Sequence, residues 1–131
     1  MNKQFVITAA VFGALAVVAG AFLAHQLKQK MPQSAIEVYE TAVRYQFYHV
    51  FALLACGILA EKFAGNQIKR AGFFFTVGIL LFSGSLYSIA GLMSSDIHIP
   101  MVLGILTPLG GLSFILGWVF LTVAVSTERR S

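Results

Sequence analysis

The sequence predicts an all-α protein, a four-transmembrane-helix bundle with an amphipathic helix between spans one and two. Hydrophobic residues make up 58% of the 131 residues and charged residues only 11%, whereas a soluble domain carries about 25% charged residues. Four apolar stretches approach the roughly 20 residues that a helix needs to cross a bilayer, and most charges lie between them. We therefore expect residues 1–131 to form a single integral membrane domain within the lipid bilayer.

The four apolar stretches place transmembrane helices near residues 5–24, 46–63, 71–93 and 101–125. Inside lipid these segments must be helical, because an open strand would leave its backbone N–H and C=O groups without partners. The first stretch is longer than the roughly 7–15 residues of a signal-peptide core. We therefore expect it to remain in the protein as the first span.

The loop before the second span predicts the amphipathic helix. Ser34 and Glu37 have the spacing of a capping box, in which each side chain accepts from a backbone N–H at the helix start. Apolar residues then recur at spacings of three and four: Ile36, Tyr39, Val43 and Phe47. Glu40 and Arg44 lie off this stripe and can pair at i,i+4. We expect this helix to lie on the outer membrane surface and to run into the second span.

Small residues and one proline mark expected helix contacts. Helices in lipid associate through close packing, which small residues permit. A proline inside a helix removes a backbone hydrogen bond and clashes with the preceding turn, which predicts a kink near Thr107. The residues that we expect at close helix contacts or at the kink are Gly20, Gly84, Ser88, Pro108, Gly110 and Gly111.

Polar residues at the end of the first span and the start of the second form a candidate polar cluster. Because a short loop joins these two spans, both groups of residues are expected at the same membrane surface. Three interpretations remain open: a hydrogen-bonded structural cap, a proton-linked or quinone-type site, and ligation of haem iron by two histidines. The residues of this candidate cluster are His25, Arg44, Tyr45, Gln46 and His49.

The sequence indicates no enzyme and no resident cofactor. It contains no HExxH, no phosphate-binding loop and no Gly-x-Ser-x-Gly motif. Cys56 is the only cysteine, so a single chain cannot build a thiolate metal site. The net charge of +4 comes from scattered lysines and arginines, not from the basic patch that nucleic-acid binding requires. We expect no metal and no nucleic acid, and a second copy or another membrane protein as the protein partner.

Four ordered segments carry a family resemblance: residues 20–28 (GAFLAHQLK), 42–49 (AVRYQFYH), 81–87 (LFSGSLY), and 107–111 (TPLGG) with Gly117-Trp118. Together they resemble the YgdD-like family of small four-span membrane proteins, a domain of unknown function. One departure is Leu23, where the family pattern has glycine. The resemblance implies a multipass protein of the bacterial cytoplasmic membrane and implies no activity, substrate or cofactor.

Two classes of function follow from these features. The first is a structural or accessory membrane protein that acts through helix–helix contacts. The alternative is a binding or carrier protein for a lipid or quinone-like small molecule. A packed interior with a small-residue face towards lipid favours the first class, and an apolar cavity between helices beside His49 favours the second.

The basic residues of the loops predict that both termini lie in the cytoplasm. The side that holds both termini carries six lysines and arginines, and the opposite side carries three; such residues concentrate on the cytoplasmic side. A reporter fused after Ser131 should therefore read out as cytoplasmic, and one inserted within residues 29–34 as external. A cytoplasmic signal from the loop insertion would reverse the assignment.

Overall fold

A computed structural model describes residues 1–63 and 65–127. Four of its helices are long and apolar enough to cross a membrane: Lys3–Leu27, Gln33–Leu59, Asn66–Ser94 and Met101–Thr127. The predicted all-α, four-span architecture is therefore confirmed. The basic residues Arg129 and Arg130, which contribute to the orientation argument, lie outside the described residues.

The first span is anchored at its N-terminal end. Helix α1 (Lys3–Phe22) begins after Asn2, whose side chain accepts a hydrogen bond from Phe5 N at 3.1 Å. The Asn2 N–H donates to the carbonyl of Gly57 at 2.8 Å. The terminal ammonium pairs with Glu61 and holds the pKa of that carboxyl below its ordinary value. These contacts tie the start of the first span to the end of the second.

Helix α2 (Gln33–Leu59) begins earlier than predicted and has no capping box. Pro32 occupies the N-cap in an extended conformation, and no side chain caps the helix. Ser34 therefore already lies inside the helix, and the prediction that it caps together with Glu37 is wrong. The amphipathic segment is also not a separate surface helix. Its apolar residues, such as the buried Ile36, pack within the bundle because the segment continues directly into the second span.

The third span contains two helices joined by a wider turn. Helix α3 (Asn66–Gly78) passes through a π-helical turn (Ile79–Ser83) into helix α4 (Gly84–Ser94). A π turn takes an extra residue, which rotates the side chains that follow it. Within this turn Phe82 lies against α5, whereas Ser83 donates to the carbonyl of Ala42 on α2. The third span can therefore pack against two neighbours at the same height.

The fourth span, helix α5 (Met101–Thr127), continues through Pro108 without a break. The proline leaves the carbonyl of Gly104 without its usual N–H partner. The Thr107 hydroxyl donates to the neighbouring carbonyl of Leu103 at 3.1 Å, and its oxygen lies 2.7 Å from the hydroxyl oxygen of Ser85. This part of α5 is thus tied to the third span.

The helices pack so that α2 and the third span form the centre of the bundle. Helix α1 packs along α2, and α5 packs along α3 and the π turn. Since α1 and α5 flank the central pair, grooves remain where each flanking helix meets the farther central one. One groove lies between α1 and α4, and a larger one lies between α2 and α5.

Three phenylalanine–glycine pairs join the third span to α5. In two pairs the phenylalanine ring lies where the glycine leaves room, and in the third the backbone of Phe82 does, so that a Cβ at any of these glycines would overlap the partner. Because rings and glycines alternate between the two helices, the helices interlock. The pairs are Phe75 with Gly117, Gly78 with Phe114, and Phe82 with Gly110.

The other predicted small residues differ in their packing. Gly20 faces Val43 on α2, and Gly111 faces the ring of Phe82, both at ordinary contact distance for an added Cβ. The prediction that Gly84 and Ser88 line a close contact within the bundle is wrong. A Cβ at Gly84 would meet no atom within 4 Å, and Ser88 is exposed. Their face opens into the groove between α1 and α4, which do not approach closely.

Replacement by alanine should have different effects at a glycine in a close helix contact and at a glycine beside open space. Gly110→Ala should lower the free energy of unfolding by about 1–3 kcal/mol, the usual cost of overpacking, because the new methyl group meets the Phe82 backbone. Gly84→Ala should be neutral or stabilising, because alanine favours a helix and the site is open. Thermal unfolding in mild detergent would compare them. Equal loss of stability in both variants would contradict this packing.

Candidate functional site

The five residues of the predicted polar cluster do not come together. Gln46 and His49 are buried, whereas His25, Arg44 and Tyr45 are exposed. Successive helical residues are rotated by about 100°, so neighbours on α2 point towards different helices. Gln46 bonds to the carbonyl of Phe12, and His25 lies about 20 Å farther along the first span at about 1.5 Å per residue.

The expectation that His25 and His49 belong to one polar cluster is therefore wrong. His49 bonds to Tyr45 and Trp118, and no hydrogen bond from His25 to either residue occurs within the described part of the chain. Because the two histidines are far apart, they cannot ligate one haem iron, and this interpretation is also wrong. Because α1 and α2 are antiparallel and tightly paired, a residue near the C-terminal end of the first span cannot reach a residue in the middle of the second.

His49 lies between α2 and α5, with both ring nitrogens bonded. Its Nδ1 lies 2.7 Å from the carbonyl oxygen of Tyr45, and Trp118 Nε1 donates to its Nε2 at 3.1 Å. An indole N–H can only donate, so Nε2 is the acceptor and Nδ1 carries the proton. The imidazole is thus neutral and fully satisfied, and a metal could reach it only by breaking one of these bonds.

Stacked rings hold His49 in this position. The imidazole lies 3.5 Å from the centre of the Phe114 ring at an angle of 6°, and Phe114 itself lies over Gly78. Trp118 packs edge-on against Phe75 at 5.0 Å. The contacts between the third span and α5 therefore position the rings that meet α2.

Beside these rings lies an apolar groove of about 500 Å³ between α2 and α5, which we call the His49 groove. It is open to the outside of the bundle, where Leu112 and Ile115 are more than half exposed. The Tyr45 hydroxyl makes no hydrogen bond within residues 1–63 and 65–127 and is the donor available there. The groove is lined by Tyr45, His49, Phe82, Pro108, Gly111, Leu112, Phe114, Ile115 and Trp118.

Gln46 forms a second polar site on the side of α2 that faces α1 and α4. Its Nε2 donates to the carbonyl of Phe12 at 2.8 Å, and its Oε1 accepts from the Tyr87 hydroxyl at 2.7 Å. The Tyr87 ring meets Tyr39 edge-on at 5.1 Å, and the Tyr39 hydroxyl donates to Ala19 on α1. Every polar atom named here has a partner, so this site joins three helices and has no free group for a ligand.

Sequence reasoning missed Trp118 and Tyr39 as parts of these sites. Both residues carry a polar group on a largely apolar side chain. Such groups need partners once buried, so each was a signal that a bond to another helix should exist. Which helix supplies the partner depends on the packing of the bundle.

Among the described residues, no three His, Cys, Asp or Glu side chains come together as metal ligands would.

The chain matches known proteins over nearly its whole length. Residues 19–111 match the family described as "Protein of unknown function (DUF423)". UPF0382 membrane protein YwdK of Bacillus subtilis is 41% identical over 123 residues, covering 93% of this chain and 95% of that protein. A UPF0382 membrane protein of Staphylococcus aureus is 41% identical over 122 residues, with 93% and 94% coverage. A Staphylococcus epidermidis relative is 38% identical with the same coverage.

No solved structure matches the chain significantly. The expectation of a small membrane protein from a family of unknown function is confirmed by the relatives, all of which carry the description "membrane protein". Its four apolar helices agree with that description. The chain is a multi-pass membrane protein and belongs to the DUF423 family.

Proposed function

We propose that this protein is a non-enzymatic binding or carrier protein that holds a lipidic or quinone-like small molecule in the His49 groove. The observation that carries the proposal is the groove itself, an apolar cavity between two helices directly beside His49. Its volume of about 500 Å³ lies within the range of small-molecule sites, roughly 300–1,000 Å³.

The lining of the groove favours an apolar ligand with one small acceptor group. Both nitrogens of His49 and the N–H of Trp118 are already bonded, so these residues contribute flat ring surfaces to a ligand. The Tyr45 hydroxyl can donate one hydrogen bond. A carbonyl on a planar ring meets both requirements, because the ring can stack and its oxygen can accept.

The depth of the groove favours the same kind of molecule. Tyr45 lies about 18 Å from the start of α2 at Gln33 and about 21 Å from its end at Leu59, at about 1.5 Å per residue. A phospholipid headgroup would have to leave water to reach this depth, which is costly. A quinone-like ring has no charge and can enter from the hydrocarbon.

A second candidate function is that of a structural or accessory protein acting through helix contacts. The exposed Ser88 and the open space beside Gly84 favour it, since small residues on a helix permit close approach by another helix. This candidate and the ligand-binding proposal use different faces of the bundle. Both are non-enzymatic, in keeping with the lack of a catalytic motif in the sequence.

The proposal extends to location and orientation. We place the protein in the bacterial cytoplasmic membrane as a YgdD-like member of its family, with both termini in the cytoplasm. Bacterial relatives support the location. The orientation is supported by the basic residues of the loops.

Trp118 allows a direct test of the ligand-binding proposal, because it is the only tryptophan and it lines the groove. A short-chain benzoquinone added to the protein in lipid nanodiscs should quench its fluorescence and reach saturation. Gly111→Leu places a larger side chain in the groove and should weaken the apparent affinity by on the order of tenfold, or about 1.4 kcal/mol.

Gly104→Leu is the matched control for this experiment. It adds the same side chain to the same helix at a position where an added Cβ meets nothing within 4 Å, and it should leave the quenching curve unchanged. Linear quenching that is identical in the parent protein and both variants would mean that the quinone reaches Trp118 only by dissolving in the bilayer. The proposal would then be wrong.

A further inference from the structure

The α5 wall of the His49 groove consists mainly of two rows of side chains. One row contains Gly111 and Ile115, and the other contains Phe114 and Trp118. Residues four apart on a helix form ridges inclined only slightly to the helix axis, with grooves between them. The space between these two rows therefore leads along α5 and out of the His49 groove.

A second apolar concavity, of about 340 Å³, follows the His49 groove along α5. The two spaces share Ile115 and Trp118 and so adjoin. Beyond these residues the first row continues to Val119 and Val123, and the second to Thr122. From Ile115 to Val123 the concavity extends about 12 Å along the helix, at about 1.5 Å per residue. We call this concavity, lined by these five residues, the α5 furrow.

The α5 furrow offers a ligand hydrocarbon surface and no free donor. The Thr122 hydroxyl donates to the carbonyl of Trp118 at 2.9 Å, and the Trp118 indole N–H donates to His49. The other lining residues are one isoleucine and two valines. A polar or charged group placed in the furrow would lose its water without gaining a partner, so the furrow suits an extended hydrocarbon chain.

The hydrogen-bond donor and the α5 furrow lie at opposite ends of the His49 groove. The ring of Tyr45 lies 4.9 Å from that of Phe82, which is the residue packed against Gly110. The furrow begins at Trp118, about 12 Å farther along α5 at about 1.5 Å per residue. A ligand that uses both features therefore has its acceptor group on one side of the ring and its chain on the other.

We propose that the ligand carries an extended hydrocarbon tail that lies in the α5 furrow while its ring occupies the His49 groove. This inference rests on the proposed function and narrows its ligand to a tailed, quinone-like molecule. The continuity of the two spaces carries it, because a tail that leaves the groove at Ile115 and Trp118 enters the furrow directly. There the tail gains dispersion contacts along two rows of side chains.

Trp118 fluorescence in lipid nanodiscs tests the inference with two benzoquinones, one with a geranyl tail and one without a tail. Affinities are expressed per mole fraction of quinone in the bilayer, so that partitioning into lipid does not contribute. The tail should raise the affinity of the parent protein about fivefold, a modest gain because lipid is as apolar as the furrow. Val119→Phe places a ring in the furrow and should bring the ratio of the two affinities close to one.

Val102→Phe is the matched control for Val119→Phe. It adds the same ring to the same helix at an exposed position outside both spaces, and it should keep the ratio of the parent. Saturable quenching with equal affinities for both quinones in the parent, or an unchanged ratio in Val119→Phe, would overturn the tail site and leave the proposed function standing. Linear quenching by both quinones would overturn the proposed function itself.

Photo-cross-linking in the same nanodiscs locates the tail directly. A benzoquinone whose geranyl tail ends in a diazirine should label residues 115–123, as mapped by peptide mass spectrometry, and an excess of the unmodified quinone should remove this label. Val18 on α1 is 64% exposed and reports labelling from bulk lipid. Equal labelling around Val18 and in residues 115–123, unaffected by the competitor, would place the tail in the bilayer and contradict the inference.

Discussion

The close fit of aromatic rings against glycines is the interaction on which the rest of the bundle depends. Between helices in lipid there is little hydrophobic gain, because the hydrocarbon chains are as apolar as the side chains they replace. Association must come from contact, and contact requires helices to approach closely. The alternation of Phe75, Gly78 and Phe82 on one helix with Gly117, Phe114 and Gly110 on the other provides that approach and sets the register of the two helices.

Hydrogen bonds across the helices add direction to this packing. Ser83 donates to Ala42, Ser113 to Phe74, and Gln46 to Phe12. Each of these acceptors is a helix carbonyl, which has two lone pairs and can accept from a side chain in addition to its own helix. In hydrocarbon no water competes for these bonds, so each polar side chain is held against one neighbour. Arg44 differs from them in having a charge and no such partner among the described residues.

The His49 groove is a consequence of the same contacts. Because Phe114 lies over Gly78, α5 is held against the third span, and the space between α5 and α2 is bridged by side chains and not by close backbones. His49, Phe114 and Trp118 fill part of that space with stacked and edge-on rings, and the remainder is open. The groove thus arises where two helices cannot approach each other closely.

The sequence by itself determined the class, the number of spans and the identity of the polar residues. Whether a segment can cross a membrane depends on the total hydrophobicity of its residues, which can be read from the sequence. Because the backbone must form its hydrogen bonds within the segment in lipid, four apolar stretches suffice to predict four helices. Gly110 was expected at a close contact or at the kink because it is a small residue near Pro108, and it does lie at a close contact.

Only the tertiary structure decided which face each of these residues occupies. The assignments of Gly84 to the packed face and of His25 to the His49 site were wrong because both depend on which helices are neighbours and at what height they meet. Spacing along one helix fixes an angle relative to other residues of that helix but not relative to the next helix. The π turn at Ile79–Ser83 and the antiparallel pairing of α1 with α2 supply that relation, and both arise from contacts between residues far apart in the chain.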